Sequence, residues 1–240
     1  MKLVVCLSAR DRGEAMARLD LLEGMAYDYL EFRADAWEGA WTGEGLLTAV
    51  RAIKKRIGPH PLILTLRTAR EGGEDPGMDE KKKAVILREL LQACPEEGPG
   101  PDLVDLEWSM GREEVKDLGD LVRAKKMGLI LSAHRFDGPY SALEAEGLYL
   151  AMGEAGSDYQ KLAFRVDRPG DLEDPTQGLA RAMIRRPDIR PILVGMGEAG
   201  RASRLPGPTN PSLWTFASLE KKTAPGQIEA EAVSRLLNKN

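Results

Sequence analysis

Lysine and histidine, two residue types that together suit carbonyl chemistry, occur on neighbouring predicted strands of this chain. Lys161 lies in YQKLAFRV (159–166), and His134 ends GLILSAH (128–134). Apolar residues alternate with the lysine, so it occupies the opposite face in mid-strand. A lysine in a dry site, with Arg165 as a neighbouring cation, can attack a carbonyl carbon as a free amine, and a nearby histidine can move the protons. The alternative is a lysine that reaches solvent and a histidine with a structural hydrogen bond.

The same alternation directs further polar side chains toward one side of the neighbouring strands. Branched apolar side chains normally fill the interior of a parallel barrel, and an isolated buried charge is costly unless it is paired. Taken singly, each acidic residue is expected to form an ion pair. Each arginine is expected either to act as a counter-ion or to bind a substrate carboxylate through its guanidinium group. Together they indicate a site at the C-terminal half of the strands. This inward set comprises Glu31, Arg33, Asp35, Thr65, Arg67, Asp105, Glu107, Ser132 and His134.

Eight short β-rich runs alternate with helical patterns, which indicates parallel strands joined by helical crossovers. Eight such units in about 250 residues is the size of a (β/α)8 TIM barrel, so we predict an α/β fold with a single barrel domain over residues 1–240. The alternative, an open doubly wound sheet, usually has a Gly-rich turn after its first strand, and ARDRG after Ser8 is not such a turn. Predicted strands cover 2–8, 27–35, 61–68, 102–108, 128–134, 159–166, 190–197 and 213–219. Predicted helices cover 12–23, 43–57, 78–93, 112–126, 141–154, 172–186 and 226–238, with a short irregular stretch near 198–206.

Charge and composition exclude several classes of protein. With 34 basic and 38 acidic residues the net charge is −4. The chain therefore lacks the excess of basic residues that is typical of a nucleic-acid-binding protein. No run approaches the ~20 apolar residues of a membrane span, so we expect a cytoplasmic protein without a membrane partner. Cys6 and Cys94 lack metal-ligand spacing and suit a reducing compartment. The charged run EKKKA (80–84) is expected to be a solvated helix face, and no His, Asp or Glu spacing requires a metal.

Several segments resemble type I 3-dehydroquinate dehydratase, the Schiff-base class of that enzyme. The resemblance runs nearly from end to end, and the segments follow one another in the family's order. They are LEFRAD (30–35), LTLRTAREGG (64–73), DLVDLEW (102–108), ILSAHRF (130–136), YQKLAF (159–164), SRL (203–205) and APGQI (224–228).

The resemblance implies a role for each matching residue. Lys161 would form an imine with the C3 ketone of 3-dehydroquinate. His134 would remove the C2 proton and then protonate the departing C1 hydroxyl, and Glu71 would orient this histidine. Arg204 would pair with the substrate carboxylate. The residues that would hold the ring hydroxyls and the carboxylate are Glu31, Arg33, Arg67, Thr223 and Gln227.

The implied product is 3-dehydroshikimate, formed by loss of water at the third step of the shikimate pathway toward chorismate and the aromatic amino acids. No metal or organic cofactor is implied, and the resemblance favours a homodimer. Two other functions remain open on the residues alone. One is a class I aldolase, also a lysine-imine barrel, which could use VGMGEAG (194–200) as a phosphate loop. The other is a non-catalytic barrel that binds a quinate-like ligand.

A few positions depart from the family pattern. Thr223 stands where the family usually has a serine, and it keeps the hydroxyl. Cys6 stands where some members have a substrate-contacting serine, Arg135 replaces an aspartate, and Gly195 replaces a serine. The sequence starts at the first strand without the N-terminal hairpin of longer members. We therefore expect another element or a partner subunit to cover the bottom of the barrel.

Overall fold

The computed structural model describes residues 1–38, 41–75, 77–95, 98–207, 210–219 and 226–237. Strands and helices alternate along the chain, as the hydrophobic pattern predicts. The strands are β1 (Lys2–Ser8), β2 (Tyr29–Arg33), β3 (Leu62–Thr65), β4 (Leu103–Glu107), β5 (Gly128–Arg135), β6 (Tyr159–Arg165), β7 (Pro191–Met196), β8 (Trp214–Ser218) and β9 (Ile228–Glu229). The helices are α1 (Arg12–Asp20), α2 (Gly43–Ile57), α3 (Glu80–Ala93), α4 (Arg112–Ala124), α5 (Ala142–Glu154), α6 (Glu173–Arg185) and α7 (Ala230–Leu237). Over these ranges, no helix combines the length and apolar character needed to cross a bilayer.

The strands form one parallel sheet in which sequence neighbours are also spatial neighbours. The hydrogen-bonded order is β7-β6-β5-β4-β3-β2-β1-β8-β9. The two outermost of the eight main strands, β7 and β8, meet at two hydrogen bonds. The Leu213 amide donates to the Pro191 carbonyl at 2.9 Å, and the Leu193 amide donates to Ser212 Oγ at 3.0 Å. The sheet therefore curls round as the (β/α)8 TIM-barrel prediction requires. The open doubly wound alternative is wrong, because β1 pairs with β2 and β8 and the strand order has no reversal there.

Local signals set the helix ends within a few residues of the predicted positions. Ser141 and Glu144 form a capping box at the start of α5, each side chain accepting from the backbone N–H of the other residue. The last helix begins at Ala230, later than predicted, because Ile228 and Glu229 pair with β8 first. Between β7 and β8 the connection holds a short 3-10 turn, Arg201–Arg204, where the sequence predicts an irregular stretch.

Apolar side chains form one layer between the sheet and the helices and a second layer inside the barrel. The inner layer is densest at the start of the strands. There the Trp214 ring lies 4.5 Å from the Tyr29 ring and 4.1 Å from the Tyr159 ring, centre to centre. Side chains of the barrel itself thus fill this end from within, and its covering by another element or a partner subunit stays a prediction. This packed lower half supports a polar upper half.

Candidate active site

Lys161 lies near the middle of β6 and points into the barrel above the apolar layer. The residue is 5 % exposed, so it does not reach solvent. Its Nζ donates to Asp105 Oδ2 at 3.4 Å and lies 3.6 Å from Glu31 Oε1. The same nitrogen lies 4.0 Å from the centre of the Phe216 ring, on its face. The amine is therefore held between two carboxylates and an aromatic ring.

A buried arginine organises the acidic side of the site. Arg67 Nη2 donates to Asp105 at 3.0 Å, and Nη1 donates to Glu107 at 3.1 Å. Burial opposes the ionisation of Asp105, but the positive charges of Arg67, Lys161 and Lys83 outweigh it and hold the pKa of this carboxyl well below its usual value. The charged interior is thus a paired network, which is the condition under which buried charges are tolerated.

His134 lies near the C-terminal end of β5 and faces the same cavity. Its Nδ1 is 2.8 Å from Glu71 Oε2. Because a carboxylate only accepts, Nδ1 carries the hydrogen and Nε2 keeps its lone pair. Burial lowers the pKa of His134 well below its ordinary value, and the positive charges of Arg67 and Lys161 lower it further. The imidazole is therefore neutral at physiological pH, the form that can accept a proton.

Glu71 reaches this histidine because the chain turns sharply after β3. Glu107 accepts from the Thr68 amide at 3.0 Å and from Thr68 Oγ1 at 2.8 Å. The Thr68 carbonyl in turn accepts from the Glu71 and Gly73 amides at 3.0 and 2.8 Å. A Cβ at Gly73 would lie 2.2 Å from the Arg67 carbonyl oxygen, so a side chain there would force the turn open. The segment REGG (70–73) thus contains both the glycine that the turn requires and the glutamate that the turn positions.

The second strand contributes a carboxylate and a guanidinium. Glu31 Oε1 accepts from Thr65 Oγ1 at 2.9 Å. Burial would raise the pKa of Glu31, but the charges of Lys161 and Arg33 outweigh it, so this pKa lies below its ordinary value. Arg33 donates Nε and Nη2 to Asp35 at 2.9 and 2.8 Å. Glu31 and Arg33 are both charged at neutral pH, and both line the cavity.

Arg204 enters the site from the loop after β7. It is 2 % exposed, and its Nε donates to the Gly195 carbonyl at 3.1 Å. Ser203 Oγ accepts from the Gly195 amide at 2.7 Å and donates to the Gly200 carbonyl at 2.8 Å. The glycine at 195, a departure from the family pattern, therefore leaves room for the loop that carries the arginine. Burial lowers the pKa of Arg204 to about 10, which leaves it charged at neutral pH.

Two further departures, Cys6 and Arg135, have distinct surroundings. Cys6 lines the cavity, and its Sγ accepts from Gln227 Nε2 at 3.3 Å. Burial raises the pKa of this thiol well above its ordinary value, so it is neutral. Arg135 donates to Glu144 at 2.8 Å and its guanidinium lies 4.0 Å from the centre of the Tyr140 ring. It therefore fixes the connection between β5 and α5 outside the cavity.

The structure brings together every predicted site residue that it describes, around a cavity of about 130 Å³. Thr223 lies outside the described residues. The sequence reasoning missed the apolar wall of this cavity. This wall includes Met196 at the end of β7 and Phe216 on β8. The alternation of residues along these two strands would have predicted that both side chains point inward. The predicted residues that line the cavity are Lys161, His134, Glu71, Glu31, Arg33, Arg67, Arg204 and Gln227.

Two predictions about charged residues are wrong. Arg165 does not share the environment of Lys161, because β6 ends at Arg165, which is exposed and pairs with Asp167 at 2.8 Å. The run 80–84 is not wholly solvated, because Lys83 is fully buried. Across the described ranges, no group of three His, Cys, Asp or Glu side chains is arranged to hold a metal ion.

Known proteins share both the sequence pattern and the architecture. The model of the type I 3-dehydroquinase family matches residues 3–239. The 3-dehydroquinate dehydratase of Salmonella agona (strain SL483) is 29% identical over 236 residues, which cover 98% of this chain and 91% of that protein. The solved 3-dehydroquinate dehydratase of Geobacillus kaustophilus HTA426 has a TM-score of 0.88 at 25% identity, covering 99% of this chain and 90% of that one.

A second solved structure extends the comparison. The type I 3-dehydroquinate dehydratase of Clostridium difficile, described with covalently modified comenic acid, has a TM-score of 0.85 at 25% identity and covers 99% of this chain and 92% of that one. A 3-hexulose-6-phosphate synthase, at 16% identity and a TM-score of 0.57, shares the fold alone. With nearly the whole sequence matched by the family model and the predicted motifs gathered in one cavity, the chain belongs to the type I 3-dehydroquinase family.

Proposed function

We propose that this protein dehydrates 3-dehydroquinate to 3-dehydroshikimate through an imine on Lys161. The observation that carries the proposal is the convergence of this buried amine, the neutral His134–Glu71 pair and the charged Arg204 on one cavity. A proton next to a ketone is weakly acidic, and a protonated imine withdraws electrons more strongly than the ketone does. An amine, one acid–base group and a cation for the carboxylate are therefore sufficient.

The reaction divides into balanced steps. Lys161 Nζ attacks the C3 carbonyl carbon, the carbonyl oxygen leaves as water with one N–H proton and one proton from solvent, and a protonated imine remains. His134 Nε2 takes the C2 proton, and the C–H electron pair becomes the C2=C3 bond of an enamine. The enamine electrons then form the C1=C2 bond and restore the protonated imine, while the C1 hydroxyl leaves as water with the proton from His134. Hydrolysis of this imine consumes one water, releases the product and restores the amine.

The remaining side chains divide between substrate and support. Arg204, charged and at the cavity wall, would pair with the carboxylate, with Gln227 beside it. Glu31 and Arg33 would hold ring hydroxyls, and we assign Thr223 to the same end. Arg67 already donates to Asp105, Glu107 and Ser132, so we assign it to fixing these groups around the amine rather than to gripping the substrate.

Borohydride trapping tests the imine. The protein is incubated with 3-dehydroquinate, reduced with sodium borohydride and mapped by peptide mass spectrometry, with Lys83, a second buried lysine, as the internal control. We expect an adduct on Lys161, none on Lys83, and loss of activity. Normal dehydration without an adduct would exclude the imine, and an adduct without dehydration would exclude the activity. An aldolase would cleave a phosphosugar and leave dehydroquinate unchanged.

The wider setting is part of the same proposal. The reaction would be the third step of the shikimate pathway, carried out by one catalytic domain over residues 1–240. A homodimer stays a prediction from the resemblance, and a cytoplasmic location stays a prediction from the composition of the sequence. Sedimentation velocity at two protein concentrations would test the homodimer, since a single monomer boundary at both would exclude it.

A further inference from the structure

Lys83 is a buried charge that the proposed reaction does not use. It lies on α3, the helix that follows the REGG turn, and it is 0% exposed. Its Nζ lies 3.3 Å from Glu107 Oε2 and, within the described part of the chain, has no hydrogen-bond partner. An apolar side chain would pack between this helix and the barrel without the cost of desolvating an ammonium group. Packing alone therefore does not explain a lysine here.

The partner of Lys83 connects directly to the catalytic pair. Glu107 accepts from Arg67 and from the amide and hydroxyl of Thr68. The Thr68 carbonyl accepts from the Glu71 amide at 3.0 Å, and Glu71 pairs with His134. A continuous set of contacts therefore runs from α3 to the acid–base group, and Glu107 is its junction.

The same contacts determine the balance of buried charge. Without Lys83, the carboxylates of Glu31, Asp105 and Glu107 would lose one nearby positive charge and keep those of Arg67, Lys161 and Arg33, so this part of the described structure would become more negative by one charge. An excess of negative charge holds protons more tightly on every neighbouring group. The titratable and charged groups around this junction are Glu31, Arg33, Arg67, Glu71, Asp105, His134 and Lys161.

We propose that Lys83 is a positioning residue of the site. It touches no substrate. Through Glu107 it holds the turn that carries Glu71, and it balances one of the carboxylates that surround Lys161. The inference rests on the proposed dehydration for its kinetic consequences, whereas its electrostatic consequence can be measured on the protein alone.

The kinetic test compares Lys83→Met with two matched variants. Lys83→Arg keeps the charge, and Lys81→Met removes an exposed lysine two positions earlier on the same helix. For Lys83→Met we expect kcat to fall on the order of tenfold with little change in KM, because misaligned proton transfer slows chemistry more than binding. The acid limb of the kcat/KM profile should move up by about half a pH unit. Lys83→Arg should recover part of both effects, and Lys81→Met should match the wild type.

Histidine NMR gives a readout that needs no turnover. The chain has 2 histidines, and His60 stacks on Tyr27 at the other end of the fold, with 4.1 Å between ring centres. In Lys83→Met the titration midpoint of His134 should rise by about half a unit while that of His60 stays unchanged. If Lys83→Met does not fold, Lys83→Gln takes its place in both experiments.

The outcomes separate the two proposals. A wild type that leaves dehydroquinate unchanged would refute the dehydration, and the His134 titration would still decide the role of Lys83. An active wild type with unchanged pH behaviour in the Lys83 variant would refute the positioning role alone. A lower melting temperature, with the pH profile of kcat/KM and the His134 titration midpoint unchanged, would likewise show that Lys83 is only structural.

Discussion

Replacing Gly195 by serine should displace the loop that carries Arg204. A Cβ at position 195 would lie 2.9 Å from Ser203 Oγ and 3.0 Å from both Gly200 Cα and Leu172 Cδ2. The backbone at this position also makes two of the hydrogen bonds that hold the loop, from its amide to Ser203 Oγ at 2.7 Å and from Arg204 Nε to its carbonyl at 3.1 Å. The new side chain can fit only if these bonds lengthen.

The expected magnitudes follow from these contacts. Overpacking a tight site costs ~1–3 kcal/mol, and loss of one buried hydrogen bond costs about 1 kcal/mol more, so unfolding should become easier by ~2–4 kcal/mol. A misplaced Arg204 would lose one charge-assisted hydrogen bond to the substrate carboxylate, worth ~1.5–3 kcal/mol. At about 1.4 kcal/mol per factor of ten, KM should rise roughly ten- to a hundredfold. The lysine and the histidine are untouched, so kcat should change far less.

Urea unfolding and steady-state kinetics measure the two effects separately. Gly207→Ser is the matched control, because a Cβ there meets nothing within 4 Å and the position lies shortly after the same loop turn. It should resemble the wild type in stability and in KM. A Gly195→Ser protein with wild-type KM would show that the position of Arg204 does not govern substrate binding. Wild-type stability would show that the loop relaxes without a loss of unfolding free energy.

Further predictions concern the amine, the base and one helix. Lys161→Ala should abolish dehydration and the borohydride adduct, and measurable turnover in that variant would contradict the imine mechanism. Because the pKa of His134 is lowered on folding, the acid limb of kcat/KM should lie below pH 6.5, the ordinary value. The unfolded chain binds this proton more readily, so stability should fall as the pH drops through 6.5, and His134→Asn should reduce that slope in urea titrations. Gly147→Ala, inside α5 with no atom within 4 Å of the new Cβ, should raise the unfolding free energy by ~0.4–1 kcal/mol, and a loss in urea unfolding would contradict the helix-entropy argument.

Periodic patterns made most of the barrel predictable. β1 and α2 have the predicted bounds, Lys2–Ser8 and Gly43–Ile57, because each pattern is flanked by turn or capping residues. Alternation also gave the correct face for Glu31, Asp105 and Lys161, since a period of two leaves no other choice once one face is apolar. The roles of these side chains came from the family resemblance, which spacing alone does not supply.

The features that the sequence did not predict depend on where a strand ends and on contacts with other segments of the fold. The burial of Lys83, on α3, depends on Glu107 at the end of β4, and its neighbours Lys81 and Lys82 resemble an ordinary solvated face. Arg165 follows the period of its strand, yet the strand ends there and the side chain turns to solvent. The need for glycine at 195 depends on a loop that approaches from later in the chain.

The position of Lys161 in mid-strand suits the charge that the proposed reaction would place there. Asp105 and Glu31 lie 3.4 and 3.6 Å from its nitrogen, and the electron-rich face of Phe216 lies 4.0 Å away. These groups are placed to stabilise a positive charge on that nitrogen, and a protonated imine carries its charge on the same atom. Because Thr65 and the buried Arg67 fix the two carboxylates, the surroundings would need little reorganisation to accommodate the proposed imine. A lysine at the wet end of the strand would have its charge screened by water, and the ketone would gain no comparable activation.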